Sequence, residues 1–285
     1  MFIMSNIVFT TESPADIYPE YKEKYGIGVI PLHVNQDGVD YKDGEITAQE
    51  IYDTFRQKKV LPNTSAIPIA EYMDFFKAYL DEGKEIIHVS MSSGISSTYR
   101  NACLAVEELE ASDRIHVIDS KCCAHAIALP IYKGIGMAEK GMTTDEILDE
   151  INKLVPKIDN HFMITNLEFL KHGGRCSALA AFGANLLRIK PLIDMSGGEM
   201  SVSKKYRGSD ITVYKKSLDD LLGDGNYDDE FACITNVLVD DDVLKEYVDY
   251  LKKNFHFKNI LVSDASCTIT SHGGKGAIGT FFLKK

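Results

Sequence analysis

The chain has 285 residues, enough for one large domain or two ordinary ones, and its apolar fraction of 45% supplies a normal globular core. Its formal net charge of −11 argues against a nucleic-acid partner, because phosphate binding needs clustered Lys and Arg in a positive field. The same charge limits contact with an anionic membrane to a transient one.

Cysteine usage and the first residues predict a cytoplasmic protein. The six cysteines form no C-x-x-C pair and no zinc-type spacing, which predicts reduced thiols and no metal site. The opening MFIMSNIVFT has neither a basic segment nor a small-residue cleavage site. No apolar run approaches the ~20 residues that span a bilayer.

The first half of the chain alternates predicted strands with predicted helices. Buried-type strands are expected at NIVFTT, IGVIPLHV, EIIHVSMS and RIHVID. A first helix is expected over PADIYPEYKEKYG, with Pro14 in its first turn, and a second after the Thr47–Glu50 capping box. Further helices are expected at IPIAEYMDFFKAYLDEG and SSTYRNACLAVEELEA. This alternation predicts a parallel sheet covered on both faces.

The second half predicts a more mixed α/β lobe, and we place the boundary between domains 1–158 and 159–285. A strand is expected at FMITNL, a helical segment over LEFLKHGGRCSALAAFGANLLRIKPLI, and a hairpin around Gly197-Gly198. Helix, strand, helix and strand follow. The fold class predicted is therefore α/β with two lobes, a parallel sheet in the first and a mixed sheet in the second.

The last glycines, Gly274, Gly276 and Gly279, spell the G-x-G-x-x-G of dinucleotide sites. That motif needs a following helix and an acid about 20 residues on, but only six residues follow Gly279 and they have a strand pattern. The glycines are thus expected to permit turns before a closing strand. From this pattern alone, His272 is equally a loop histidine or a functional one.

Clustered hydroxyls follow two predicted strands and suggest an anion site. Ser96, Ser97 and Thr98 stand where a strand gives way to a helix, and helix N-termini attract carboxylates and phosphates. Thr64 and Ser65 form a similar strand end. Simple capping is the alternative for both. Three such ends, with TTES at 10–13, would make one polar pocket at the sheet edge.

Other features leave alternatives open. A serine hydrolase using Ser96 and His272, with Asp119 or Asp264, lacks the G-x-S-x-G elbow. Arg175, after two glycines, is a surface residue beyond a helix end or a site residue. Basic residues around Arg207 suit an acidic or phosphate-bearing partner, or merely a solvated face. The small residues of SALAAFGANLL suit close helix packing or an apolar ligand channel.

Together, these motifs resemble the DegV family, the fatty-acid-binding proteins typified by the FakB subunits of bacterial fatty acid kinase. TTESPADI resembles the family opening T-D-S-x-A-D-L, and NTSAIP its T-S-Q-P. SSGISSTYRNA is similar to S-S-x-L-S-G-T-Y-x-x-A, and VIDS to V-x-D-S. LEFLKHGGRCS resembles L-x-x-L-K-x-G-G-R-I-S, LLRIKPLI resembles L-x-I-K-P-I-L, and SHGGKGAIGTFF resembles H-x-G-P-G-A-L-G. Seven matches in order are highly specific.

The resemblance implies a non-catalytic carrier of one long-chain fatty acid, held between and within the lobes, without a cofactor. Thr64, Ser96 and His272 would bind the carboxylate, with Ser65, Ser97 and Thr98 beside them. The acyl chain would follow SALAAFGANLL. Arg207 would engage a separate ATP-dependent kinase subunit that makes the acyl-phosphate. A lipid-responsive regulator with the same pocket is a further alternative.

Four motifs depart from the family pattern. Glu12 stands where the family has Asp, Ser97 where it has Gly, Ala66-Ile67 where it has Q-P, and Lys275 where it has Pro. All four motifs would surround the head group.

Overall fold

Three sheets organise the part of the chain that the computed structural model describes, residues 6–176 and 189–285. The first lobe contains, in order, β1 (Ile7–Glu12), α1 (Pro19–Tyr25), β2 (Gly28–Ile30), β3 (His33–Gln36), β4 (Val39–Lys42), α2 (Ala48–Lys58), β5 (Asn63–Ser65), α3 (Ile69–Asp81), β6 (Glu85–Ser90), α4 (Thr98–Glu108), β7 (Ile115–Asp119), α5 (Ala128–Ala138) and α6 (Thr144–Leu154).

The second lobe begins with the next strand. It contains β8 (Ile158–Asp159), β9 (His161–Met163), α7 (Leu167–Gly173), β10 (Lys190–Asp194), β11 (Ser201–Tyr206), α8 (Asp210–Leu222), β12 (Phe231–Asn236), α9 (Asp241–Asn254), β13 (Asn259–Asp264), α10 (Cys267–Gly273) and β14 (Ile278–Leu283).

The first lobe is built on a parallel sheet of order β2-β1-β6-β7. Its strands are apolar and largely buried, as expected for a sheet with helices packed on it, and α3 with α4 and α5 with α6 supply those helices. The second lobe has a mixed sheet of order β11-β10-β9-β14-β12-β13, with β8 paired to β14. The two-lobed α/β prediction is confirmed.

A small antiparallel sheet, β4-β3-β5, extends from the first lobe. Asp37 and Gly38 turn between β3 and β4 with φ of 55° and 82°. With α2, this sheet buries its own small apolar core, which includes Val34 and Ile51 and is completed by Phe169 from α7. The unit of residues 33–65 therefore closes against the second lobe.

The principal core runs through both lobes. Ile86 and Ile87 of β6 belong to the same buried apolar cluster as Phe231 of β12 and Phe281 of β14. A second cluster lies between the mixed sheet and α8 and α9. The lobes thus share buried apolar contacts, which fixes the space between them. No helix in the described ranges is long and apolar enough to cross a bilayer.

Some of the predicted turns, caps and element boundaries are confirmed, and others are wrong. The Thr47–Glu50 capping box and the hairpin around Gly197-Gly198 are confirmed. The first helix begins at Pro19 rather than Pro14, because Asp16 adopts a left-handed φ of 46° that ends a short 3₁₀ turn. The strand expected at IGVIPLHV is split at Pro31 into β2 and β3. The sequence pattern also missed α10, which carries His272.

Candidate functional site

A largely apolar cavity lies where the two lobes and the small sheet meet. Its empty volume is about 980 Å³, the open mouth included. Its wall takes side chains from β5, the β6–α4 loop, β9, α7, β12, α10 and β14. The lining residues are Leu32, Thr64, Ser65, Ala66, Met91, Ile95, Ser96, Ser97, Cys123, Ala124, Phe162, Ile164, Leu170, Arg175, Met200, Thr235, Val237, Thr268, Ile269, His272, Gly273, Ala277, Ile278, Gly279 and Phe281.

Thr64 and His272 meet on this wall. Pairing of β5 with β3, which places Thr64 opposite Val34, fixes the Thr64 backbone, and α10 presents His272 from its last turn. The Thr64 Oγ1 and His272 Nε2 atoms lie 2.8 Å apart. The pair joins the small sheet to the second lobe.

Burial makes His272 a neutral group. Desolvation, reinforced by the nearby charges of Arg175 and His172, lowers the pKa of His272 to about 4. Its Nδ1 atom is buried and has no partner among the described residues. A proton on Nε2 avoids an unsatisfied buried N–H, so the imidazole donates to Thr64 Oγ1. The Thr64 hydroxyl hydrogen then remains free for an acceptor in the cavity.

Gly173, the last residue of α7, allows the imidazole to sit where it does. A Cβ on this glycine would lie 2.1 Å from His272 Nδ1 and 2.8 Å from its Cε1. No side chain fits at that separation. The glycine pair of LKHGGRCS is therefore more than a helix end: Gly174 closes the helix in a left-handed conformation, and Gly173 makes room for His272.

The three hydroxyl residues at the start of α4, Ser96, Ser97 and Thr98, do not all reach the cavity. Ser96 and Ser97 line the cavity, and Ser97 is exposed. Thr98 is fully buried and does not line it. Ser96 Oγ lies 2.5 Å from Thr98 Oγ1 and accepts the Thr98 backbone N–H at 3.2 Å. Thr98 thus holds Ser96 in place at the start of α4.

Ser65 and Arg175 stand at the solvent side of the same wall. Both are exposed and line the cavity. The Arg175 guanidinium donates from Nη1 to Gly173 O at 2.6 Å. The sequence alone does not decide between a surface role and a site role for Arg175. The local signal is the glycine pair before it, because Gly174 adopts a left-handed φ of 67° that ends the helix there.

A buried polar network lies beneath the β6–α4 loop and includes Glu12, one of the departures from the family pattern. Glu12 Oε1 accepts from Tyr72 at 2.7 Å and bonds His88 Nε2 at 2.9 Å, while Oε2 accepts the Met91 N–H at 2.9 Å. Burial raises the pKa of Glu12, but the His88 imidazole and these hydrogen bonds outweigh it and leave the pKa below its usual value. The carboxylate anchors the start of the loop that ends in Ser96.

The hydrolase arrangement is not assembled. Ser96 bonds Thr98, His272 bonds Thr64, and Asp119 is occupied by the Lys121 ammonium and by backbone N–H groups. Asp264 accepts from Asn236 instead. Within 6–176 and 189–285, no three His, Cys, Asp or Glu side chains are grouped so as to hold a metal ion.

Arg207, the predicted contact with a partner, lies away from this wall. Arg207 is exposed in a separate surface pocket with Ile189, Lys205, Tyr206 and Lys216. The SALAAFGANLL segment, expected to follow the acyl chain, falls at 177–187, outside the described residues.

The family model of DegV, described as uncharacterised proteins, matches residues 6–285. The chain belongs to the DegV family. A DegV domain-containing protein of Clostridium acetobutylicum is 31% identical to it over 286 residues, which cover 99% of this chain and 100% of the relative.

Solved structures share the fold over nearly the whole DegV chain. The DegV family protein from Thermus thermophilus, described as binding fatty acid, superposes with a TM-score of 0.89 at 25% identity, covering 98% of this chain and 99% of the other. A stearic acid-binding protein from Eubacterium ventriosum superposes with a TM-score of 0.82 at 26% identity, covering 99% of each chain.

Proposed function

We propose that this DegV protein binds a long-chain fatty acid in the cavity between its lobes. The observation that carries the proposal is the Thr64–His272 pair set into a mainly apolar wall. An acyl chain gains about 0.8 kcal/mol for each methylene buried there. Its carboxylate must be hydrogen-bonded, since a bare buried charge is very costly. The fatty acids bound by two structural relatives support the same ligand class.

The head group would be held by hydroxyls and a neutral histidine rather than by a metal. Thr64 has a free hydroxyl hydrogen when His272 donates to its oxygen, and Ser96 has one when the Thr98 hydroxyl donates to Ser96 Oγ. Arg175 at the mouth adds a guanidinium, the side chain that pairs best with a carboxylate. Ser65 and Ser97 complete the polar rim.

Denaturing mass spectrometry of the purified protein tests the ligand class, and a co-purifying long-chain fatty acid is the expected result. Ser96→Ala and His272→Ala should each weaken fatty-acid binding by ~1–3 kcal/mol, because each removes a partner of a buried charge. Ser93→Ala is the matched control, since Ser93 lies in the same loop but does not line the cavity. Repeated absence of lipid, or full affinity in the double variant, would contradict the proposal.

The second part of the proposal is presentation of the bound acid to a separate cytoplasmic, ATP-dependent kinase subunit. Exposed Arg207 lies in a basic surface pocket outside the cavity, as a partner contact on an otherwise acidic protein would. Arg207→Ala should abolish coupling to the kinase and leave lipid affinity intact. Lys258→Ala, which removes another exposed cation, should change neither. Loss of lipid affinity in Arg207→Ala would overturn this assignment.

A further inference from the structure

The cavity wall carries one buried hydroxyl that the protein itself leaves unused. Thr268 lies in the first turn of α10, is 3% exposed and lines the cavity. Its Oγ1 has no hydrogen-bond partner in the described ranges. Its backbone N–H, by contrast, is fixed by Asp43 Oδ2 at 3.0 Å. The residue is held in position while its side-chain donor and acceptor stay unmatched.

Two neighbouring buried hydroxyls, by contrast, have partners within the protein. Thr235, also on the wall, donates to Asp16 Oδ2 at 3.0 Å and accepts the His125 N–H at 3.3 Å. Ser271, on the same helix, donates to the carbonyl of Cys267 at 2.7 Å. Thr268 cannot donate in the same way, because the residue four positions before it is Asp264, which lies in β13 and not in the helix.

Helix geometry relates this hydroxyl to the head-group site. Thr268 and His272 are four residues apart on α10, and side chains at that spacing share one face about one turn, or ~5.4 Å, apart. If His272 helps to hold the carboxylate, Thr268 faces the ligand within its first few carbons. A buried hydroxyl left unpaired is unfavourable, and an oxygen on the ligand would pair with it.

We propose that Thr268 forms a second polar subsite that selects fatty acids bearing a hydroxyl or oxo oxygen close to the carboxyl group. This inference rests on the proposed fatty-acid function and adds a substrate class to it. A hydroxyl both donates and accepts, so either oxygen type satisfies Thr268. An unsubstituted chain would leave the contact unmade.

Competitive displacement of a fluorescent fatty acid by palmitic, α-hydroxy-, β-hydroxy- and ω-hydroxypalmitic acid tests the subsite. In the wild-type protein, the α- or the β-hydroxy acid should bind at least as tightly as palmitic acid. Thr268→Val should weaken that hydroxy acid about tenfold relative to palmitic acid. Thr268→Ser should keep the preference, and the ω-hydroxy acid should not respond to Thr268.

Thr270→Val is the matched control, because Thr270 also carries a buried, unpartnered hydroxyl on α10 but does not line the cavity. An unchanged ratio in Thr268→Val, an equal change in Thr270→Val, or equal weakening of all four acids would overturn the subsite. If Thr268→Val does not fold, the wild-type protein still tests the subsite. Tighter binding of palmitic acid than of both the α-hydroxy and the β-hydroxy acid would then overturn the proposal. Failure of every acid to bind would instead refute the fatty-acid function.

Discussion

At the scale of single residues, the proposed head-group site depends on Gly173, which has no side chain and so leaves room for the His272 ring. Gly173→Ala should lower fatty-acid affinity by ~1–3 kcal/mol, because its Cβ would displace the His272 ring from Thr64. Gly136→Ala is the control, since its Cβ meets open space on helix α5, and it should be neutral or stabilise the fold by ~0.5–1 kcal/mol. Isothermal titration with a fatty acid and thermal unfolding separate the two effects. Equal affinity in both variants would contradict this role for Gly173.

Sequence reasoning found the side chains of this site better than their partners. Hydroxyls at strand ends and a histidine near terminal glycines could be noticed locally, and Thr64, Ser96 and His272 do line one cavity. The bond between Thr64 and His272 spans 208 positions, so no local pattern could supply it. The positions of Arg175 and Thr268 on the cavity wall cannot be predicted from the sequence either, because they depend on how the two lobes assemble.

At the scale of elements, α10 contributes Thr268 and His272 to the cavity wall, and it is the helix that the sequence pattern does not predict. Its seven residues are too few for a clear periodicity, and its N-terminus is held by the carboxyl groups of Asp16 and Asp43 from the other lobe as well as by the local cap Ser266. Asp16 accepts the Ser266 N–H at 2.8 Å, and Asp43 accepts those of Cys267 and Thr268. Acids at a helix N-terminus are favourable partners of its free N–H groups.

The buried carboxyl group of Asp16 should make the stability of the fold depend on pH, and Asp16→Asn should remove that dependence. Burial raises the pKa of Asp16 to about 8, against hydrogen bonds from Ser266 and Thr235 that lower it. Between its ordinary value of 3.8 and about 8, the folded protein holds a proton that the unfolded chain has lost, so Asp16 lowers the unfolding free energy as pH rises.

Denaturant unfolding at several pH values checks this. Relative to wild type, Asp16→Asn should gain stability steadily as pH rises toward 8. The difference between the two proteins is the informative quantity, because His125 and His272, each with a pKa lowered to about 4, act in the opposite direction below pH 6.5. Asp113→Asn, at an exposed loop position, is the control. Parallel curves for wild type and Asp16→Asn would rule the effect out.

At the scale of the whole molecule, the sequence predicts the alternation of strands and helices but not the order of the strands within each sheet. A parallel first lobe followed from buried strands alternating with helices, whereas the order β11-β10-β9-β14-β12-β13 depends on pairings between distant strands. The last strand, β14, lies in the middle of that sheet and next to the cavity. The terminal glycines therefore serve a closing strand at the centre of the second lobe and not a nucleotide loop.

Ligand binding should stabilise both lobes together. The cavity wall draws on both, the principal core is continuous between them, and Ser92 Oγ donates across to Gly198 O at 2.6 Å. Free fatty acid at a hundred times its Kd should raise the unfolding free energy by about 2.7 kcal/mol in a single transition. Hydrogen exchange should then slow in β1 and β6 as well as in β12 and β14. Slowing confined to the second lobe would show that the lobes unfold separately and that the first contributes only contacts at the cavity mouth.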